Sequence, residues 1–413
     1  MPDPESILII GAGQAGGCAA ATLRGEGYAG RIVLVGAEQH RPYERPPLSK
    51  SVLSDPESEP GIFLHKPEFH EGLKLEYLPG TRVSDLDPAG KVAHTADGGQ
   101  IPWDRCLLAT GGRVRLLPGV PEGMANVYYL RELDDARRLR ERLVPGARVV
   151  VLGGGFLGLE FAAVAREKGL EVTVVEAGSQ LLGRAAPALF ADWLREQFAA
   201  SGVKVLCNAG VKGIQPAGQG VAVQFADGGE LAADFVLVSI GQVPNVELAQ
   251  SCGLAIDNGI AVDPAGRTSA PDIFAAGDCA SQDNRWLGRR VRLESWQMAQ
   301  EQATVAARAM LGKPADCDLI PWFWSDQLGM NLQMLGVPEP GLQYEVRGAM
   351  DGGKFSIFGF DQVHRLRYVL AVNNGADMRP LRNLLEAGKQ APRDQLLDAG
   401  KPLREIVKQA LAA

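Results

Sequence analysis

The chain has 413 residues, 46% of them hydrophobic and 22% charged, with a formal net charge of −7. That length predicts two or three domains of a soluble globular protein, and the acidic balance argues against a nucleic-acid partner. No apolar stretch free of Gly, Pro and charge is long enough to span a bilayer, and the start Met-Pro-Asp-Pro-Glu-Ser lacks a signal-peptide pattern, so a cytoplasmic location with no membrane contact is expected.

In chain order, the first predicted element is Ile7-Leu8-Ile9-Ile10, an unbroken apolar run of the kind found in strands buried on both faces. Gly11-Ala12-Gly13-Gln14-Ala15-Gly16 follows, then an Ala-rich helix to about Gly25 and a second strand, Ile32-Val33-Leu34-Val35, ending near Glu38. The pattern returns at Val149–Leu152, Gly153-Gly154-Gly155-Phe156-Leu157-Gly158, a helix to about Lys168, and Val172-Thr173-Val174-Val175 closed by Glu176.

Both stretches are β-α-β units with G-x-G-x-x-G at the first turn. The first Gly permits the tight turn, the second lets backbone approach a diphosphate, and the third lets helix pack on strand. The diphosphate then meets free N–H groups at the helix N-terminus. An acid about 20 residues on can accept ribose hydroxyls; Glu38 lies 22 residues after Gly16 and Glu176 lies 18 after Gly158. Two complete units predict two dinucleotide sites. Glu176, with only Ala177-Gly178 beside it, predicts NADH over NADPH, because a carboxylate repels a 2′-phosphate.

Further along, Pro118 to Arg142 contains an acidic and basic helix, and Asp351 to Ala371 alternates apolar and polar residues as antiparallel strands do. Leu396 to Ala413 reads as one amphipathic helix. The six cysteines, Cys18, Cys106, Cys207, Cys252, Cys279 and Cys317, stand at least 27 residues apart, and no spacing suits a metal site, an iron–sulfur centre or a C-x-x-C dithiol. Cys18 reads as a small core residue.

Thr268-Ser269-Ala270-Pro271-Asp272-Ile273-Phe274-Ala275-Ala276-Gly277-Asp278 resembles the second FAD motif of the glutathione-reductase-like flavoproteins, and Ala109-Thr110-Gly111 resembles their crossover between FAD and NAD domains. Tyr43-Glu44-Arg45-Pro46-Pro47-Leu48-Ser49-Lys50, Gly153 to Glu160, Arg292-Leu293-Glu294-Ser295-Trp296 and Pro321-Trp322-Phe323-Trp324-Ser325-Asp326-Gln327 narrow the likeness to the NADH:ferredoxin reductases of biphenyl-dioxygenase and putidaredoxin-reductase type. The resemblance covers nearly the whole chain.

It implies an α/β fold with two Rossmann-like domains and a smaller α+β C-terminal domain. The expected boundaries are 1–111 with 242–316 for FAD, 112–241 for NAD, and 317–413 for the last domain. It implies FAD as cofactor, NADH as co-substrate and a [2Fe–2S] ferredoxin serving an oxygenase as partner. A quinone- or monodehydroascorbate-type reductase and an apoptosis-inducing-factor-like NAD-responsive flavoprotein are the alternatives. Disulfide reductases of this fold carry C-x4-C, and related oxidases carry a Cys near the position of Arg45 to Pro47. Pro46 and Pro47 stand there in this chain, so electrons are expected to leave the flavin without a thiol relay.

By the same resemblance Lys50 lies by the flavin, Glu160 is the carboxylate expected to partner it, and Trp324 lies near the flavin and the electron carrier. Gly11, Gly13, Ala15, Gly16, Glu38, Arg45, Val83, Ala109, Thr110, Gly111, Arg131, Asp278 and Trp296 are the expected FAD contacts. Gly153, Gly155, Gly158, Glu176, Arg184 and Gly241 are expected to serve NADH. Arg285, Arg289 and Arg290, with Arg292 nearby, form a basic cluster expected to dock an acidic carrier. Plainer alternatives remain: a solvated loop Lys50, an exposed Glu160, a surface Arg184, a core Trp324 or Trp296, and a solvated arginine run.

Overall fold

The computed structural model describes residues 4–412; Met1 to Asp3 of the acidic start, and Ala413 of the last expected helix, lie outside the described residues. Backbone contacts divide the chain into two units. One holds the chain up to Pro46 with Glu57–Arg113 and Gln242–Leu319; the other holds Pro47–Pro56, Val114–Gly241 and the chain from Ile320 on.

The first unit is built on a five-stranded parallel sheet in the order Ile273–Ala275, Arg105–Leu108, Ser6–Ile10, Arg31–Val35, Glu76–Leu78. Ser6–Ile10 is its central strand, and both faces are covered. Ile7 and Ile9 pack on one side with Ala19, Ala20, Ala303 and Ala306, while Leu8 and Ile10 pack on the other with Val83, Leu86 and Trp103. This explains why the strand is apolar at every position instead of alternating. The helices Gln14–Gly25 and Trp296–Met310 lie together on the first face, and their alanines let them approach closely. An antiparallel sheet, Val83–Asp87, Val92–Thr95 and Gln100–Pro102, supplies residues of the second face.

The second unit repeats the theme. Its parallel sheet runs Lys204–Leu206, Glu171–Val175, Arg148–Leu152, Phe235–Val238, Val127–Tyr128, and the helix Phe156–Glu167 follows the central strand. A five-stranded antiparallel sheet follows later in the chain, in the order Trp322–Gln327, Met330–Leu335, Leu366–Val372, Lys354–Phe360, Gln343–Ala349. Specific contacts join this sheet to the parallel layer: Trp193 stacks edge-on against Phe355 at 4.9 Å and donates to the Met350 carbonyl, and the Tyr368 hydroxyl donates to the Ala185 carbonyl. Among the described residues no helix is long and apolar enough to cross a membrane.

The expected single helix from Leu396 is a correction. The chain forms Arg393–Leu397 and Leu403–Ala412 with a break between them. Pro402 lacks the N–H a continuous helix needs, and Gly400 adds backbone freedom just before it. Arg347, 7% exposed, closes the break: its guanidinium donates to the carbonyls of Leu396 at 2.9 Å, Asp398 at 2.6 Å and Lys401 at 2.5 Å.

Candidate active site

The two glycine turns have the same geometry. Gly11 and Gly153 adopt φ of +115° and +108°, which L side chains rarely take. A Cβ on either would strike a carbonyl of the strand end beside it, that of Ala109 or of Ser239. A Cβ on Gly16 or Gly158 would strike the carbonyl of Gly11 or Gly153. Gly13 and Gly155 differ from both: a Cβ there would meet nothing within 4 Å. Protein packing therefore forbids side chains at the outer two glycines of each motif but not at the middle one. The space beside the middle glycine, at the N-terminus of Gln14–Gly25 and of Phe156–Glu167, fits the diphosphate of FAD in one cradle and of NADH in the other.

The two acids are held differently. Glu176 accepts the amides of Gly154 at 2.7 Å and Gly178 at 2.6 Å, one on each oxygen, so it is fixed beside the second cradle. Glu38 is held by side chains: the Tyr43 hydroxyl at 2.5 Å and the Arg45 guanidinium at 2.7 Å. A carboxylate offers about four lone-pair positions, so each acid keeps acceptor capacity for ribose. Tyr43 opens the Tyr43–Lys50 motif, and its hydroxyl is a partner of Glu38 that the motif's residue types alone do not reveal. Glu176→Ala is expected to narrow the preference for NADH over NADPH by at least about tenfold, roughly 1.4 kcal/mol and the scale of one charge-assisted hydrogen bond. Steady-state kinetics with both nucleotides measures this, and an unchanged ratio would remove Glu176 from ribose recognition.

Around the first cradle, Thr110 and Asn245 hold each other: the Thr110 hydroxyl donates to the Asn245 carbonyl at 2.7 Å, and the Asn245 amide donates to the Thr110 carbonyl at 2.9 Å. Gly111, at φ +62°, turns the chain there. Gly277, at φ +83°, sits 3.1 Å (by its Cβ position) from the Ala15 methyl in the first turn of Gln14–Gly25, which places Asp278 beside that helix start. The strand Ala280–Asn284 follows Asp278, and Gln242 donates to the Asp278 carboxylate at 3.2 Å. Trp296 donates its indole N–H to Glu44 at 3.1 Å, and Val83 is buried in the core. In the second unit the Arg131 amide donates to Asp135 at 2.9 Å, and the exposed Arg184 guanidinium lies 3.9 Å from the Cβ position of Gly241.

The second unit also contains a buried ionic cluster. Glu160, 5% exposed, receives Lys50 Nζ at 2.8 Å and Ser325 Oγ at 2.5 Å on one oxygen, and Ser49 Oγ at 2.5 Å on the other. The expected pairing of Lys50 with Glu160 is present, and Ser49 and Ser325 join it although their neighbours in sequence do not reveal the contact. Helical and strand periodicity explain how the serines arrive. Phe156 and Glu160 share a helix face at i, i+4, while Phe323 and Ser325 share a strand face at i, i+2. The rings of Phe156 and Phe323 lie 4.4 Å apart, and the polar pair meets one step further along.

The other face of that strand carries Trp322 and Trp324, stacked at 5.1 Å with 22° between planes, and the Arg382 guanidinium lies 5.3 Å from the Trp322 ring centroid. Trp324 is half-buried on an edge strand rather than sealed in a core. The arginine cluster is largely engaged within its own unit. Arg285 pairs with Asp316 and Asp318, Arg290 with Asp257 and Asp283, and Arg292 with Glu294. Arg290 also donates to the backbone of Val262 and Ser281, so it anchors structure as well as carrying charge.

Burial raises the pKa of all six thiols, Cys18 to about 11 and Cys317 to about 12, with Cys106, Cys207, Cys252 and Cys279 also above the ordinary value. A thiol disulfide relay needs an accessible thiolate, and none of the six is poised as one. Replacing all six by Ser or Ala, with thermal stability checked, is expected to leave electron transfer from NADH to a dye largely intact. Loss of transfer in a stably folded variant would restore a thiol step.

Residues 5–303 match the family model for pyridine nucleotide-disulphide oxidoreductases, and residues 322–407 match the reductase C-terminal family. The chain is similar to the ferredoxin–NAD(+) reductase component of the anthranilate 1,2-dioxygenase system of Burkholderia cepacia, 40% identical over 394 residues, covering 95% of this chain and 97% of that protein. It is 34% identical to putidaredoxin reductase of Pseudomonas putida over 414 residues, covering 99% and 98%. The fold superposes on the reductase in the crystal structure of the covalent putidaredoxin reductase–putidaredoxin complex with a TM-score of 0.96, at 35% identity over the whole of both chains. Its two glycine cradles and its full-length likeness to these proteins place the chain in the pyridine nucleotide-disulphide oxidoreductase family, among the ferredoxin–NAD(+) reductases.

Proposed function

We propose that the protein is an NADH:ferredoxin reductase acting in the cytoplasm on a [2Fe–2S] ferredoxin that serves an oxygenase. FAD, when bound, supplies the chemistry: it takes a hydride as a pair of electrons and releases them one at a time. The observation that carries this reading is the pair of equivalent cradles, each with an open middle glycine and a fixed acid.

The chain's own contribution is placement. Gly13 and Gly155 admit the two diphosphates, while Glu38 and Glu176 accept ribose hydroxyls. Lys50, paired with Glu160, is assigned to the flavin by the family resemblance, and a positive charge there would favour the added electron density. Trp324 presents a flat ring for the nicotinamide or the carrier to pack against. Arg285, Arg289 and Arg290 offer a basic surface on which an acidic carrier can dock.

The test is anaerobic stopped-flow reduction by NADH, followed by mixing with [2Fe–2S] ferredoxins and, separately, with a quinone. Fast bleaching of the flavin, then ferredoxin reduction that slows as salt rises, is expected. Transfer to quinone but to no ferredoxin would favour the quinone-reductase alternative. Stable nucleotide binding without turnover would favour the NAD-responsive one.

A further inference from the structure

Glu160 accepts three donors from two segments: Ser49 and Lys50 from one, and Ser325 from the other. Ser325 is 0% exposed and Gln327, on the same strand face, is 1% exposed. The Gln327 amide donates to Ser325 Oγ at 3.0 Å, and Ser325 Oγ lies 2.5 Å from Glu160 Oε1. A serine hydroxyl has one proton. With Gln327 donating to its oxygen, that proton is directed at Glu160. The result is a one-way chain from Gln327 through Ser325 to the carboxylate, ending on the oxygen that also receives Lys50.

We propose that Ser325, oriented by Gln327, is a positioning residue for the Lys50–Glu160 pair, with Ser49 holding the second carboxylate oxygen. Without Ser325 the carboxylate keeps Lys50 and Ser49 but loses one of the three contacts that fix its rotation, and the ion pair to Lys50 loosens. The same hydrogen bond, beside the Phe156–Phe323 ring contact, ties the strand Trp322–Gln327 to the helix Phe156–Glu167, so one hydroxyl contributes to the setting of both Trp324 and Lys50. This inference rests on the proposed reductase function only for its kinetic readout.

The experiment compares Ser325→Ala, Gln327→Met, Glu160→Gln and the double variant Ser325→Ala/Glu160→Gln in the FAD-loaded protein. Ser325→Ala is expected to slow flavin reduction by NADH about tenfold, as loss of one positioning hydrogen bond does, with KM for NADH unchanged. Gln327→Met, which keeps volume and removes the directing donor, is expected to act in the same sense with a smaller effect. In the Glu160→Gln background the Ser325→Ala effect should vanish, because residues acting through one carboxylate are non-additive. A purely structural role would leave the two effects additive. The second readout needs no turnover: Lys50 acylation by an amine reagent, mapped by mass spectrometry, should accelerate in Ser325→Ala as the ion pair loosens. Additive kinetics, or unchanged acylation and reduction in a folded Ser325→Ala, overturns the proposal. If NADH does not reduce the parent protein, the functional reading fails, and the acylation result alone decides the role of Ser325.

Discussion

Gly13→Ala is expected to fold as the parent does and to lose FAD, whereas Gly11→Ala is expected to lose both fold and cofactor. The contrast follows from where a methyl group would go. At Gly13 it meets no protein atom within 4 Å, and the backbone there, at φ −87° and ψ −159°, suits an L residue. The methyl enters only the space assigned to the diphosphate. At Gly11 the methyl would strike the Ala109 carbonyl, and φ is +115°, which adds about 1–3 kcal/mol of backbone strain before the clash is counted. FAD affinity in Gly13→Ala should fall at least about a hundredfold, roughly 2.7 kcal/mol. FAD content on purification, reconstitution titrations and the thermal midpoint of the apoprotein measure the three quantities. Gly155→Ala extends the comparison, with normal FAD content and weakened NADH binding expected. A Gly13→Ala protein that keeps full FAD affinity would place the diphosphate elsewhere.

Glu160→Ala is expected to be the most damaging single change in the second unit. It leaves the Lys50 ammonium without its carboxylate and two buried hydroxyls without their acceptor. Removing one partner of a buried ion pair costs about 3–5 kcal/mol; the Lys50 side chain keeps 20% exposure, so the lower end of that range is expected. Flavin reduction should slow with it, since Lys50 is no longer fixed. Stability and rate can be separated. The double variant Lys50→Met/Glu160→Leu replaces the pair by apolar groups of similar size, a change that is often neutral for stability. It should recover most of the unfolding free energy lost in Glu160→Ala and none of the rate. Urea unfolding beside stopped-flow reduction checks both. Recovery of rate along with stability would show that the pair only supports the fold.

The parts of this protein legible in the sequence are those set by neighbours in the chain. G-x-G-x-x-G between two apolar runs specifies a strand, a turn and a helix start within a few residues, because each glycine answers a local steric demand. Glu176 is legible for the same reason: it ends the second strand, at a fixed distance from its glycines. The Lys50–Glu160 pair was within reach because a buried lysine requires a carboxylate and few candidates stood in motifs.

Only the tertiary structure decided the rest. The Glu160 cluster takes Ser49 from 111 residues before it and Ser325 from 165 after it. A serine beside an aromatic residue has no periodic signal that says which buried anion it faces. The arginine run from Arg285 to Arg292 looks basic in sequence, yet Asp257, Asp316 and Asp318 fold against it and cancel much of its charge. The break in the last helix is prepared locally by Gly400 and Pro402, but its open carbonyls are bonded by Arg347, about fifty residues earlier in the chain. The physical reason is common to all three. Backbone sterics and hydrophobic period act between residues close in sequence, whereas a buried charge or an open carbonyl is matched by whichever donor or acceptor the fold brings within about 3 Å.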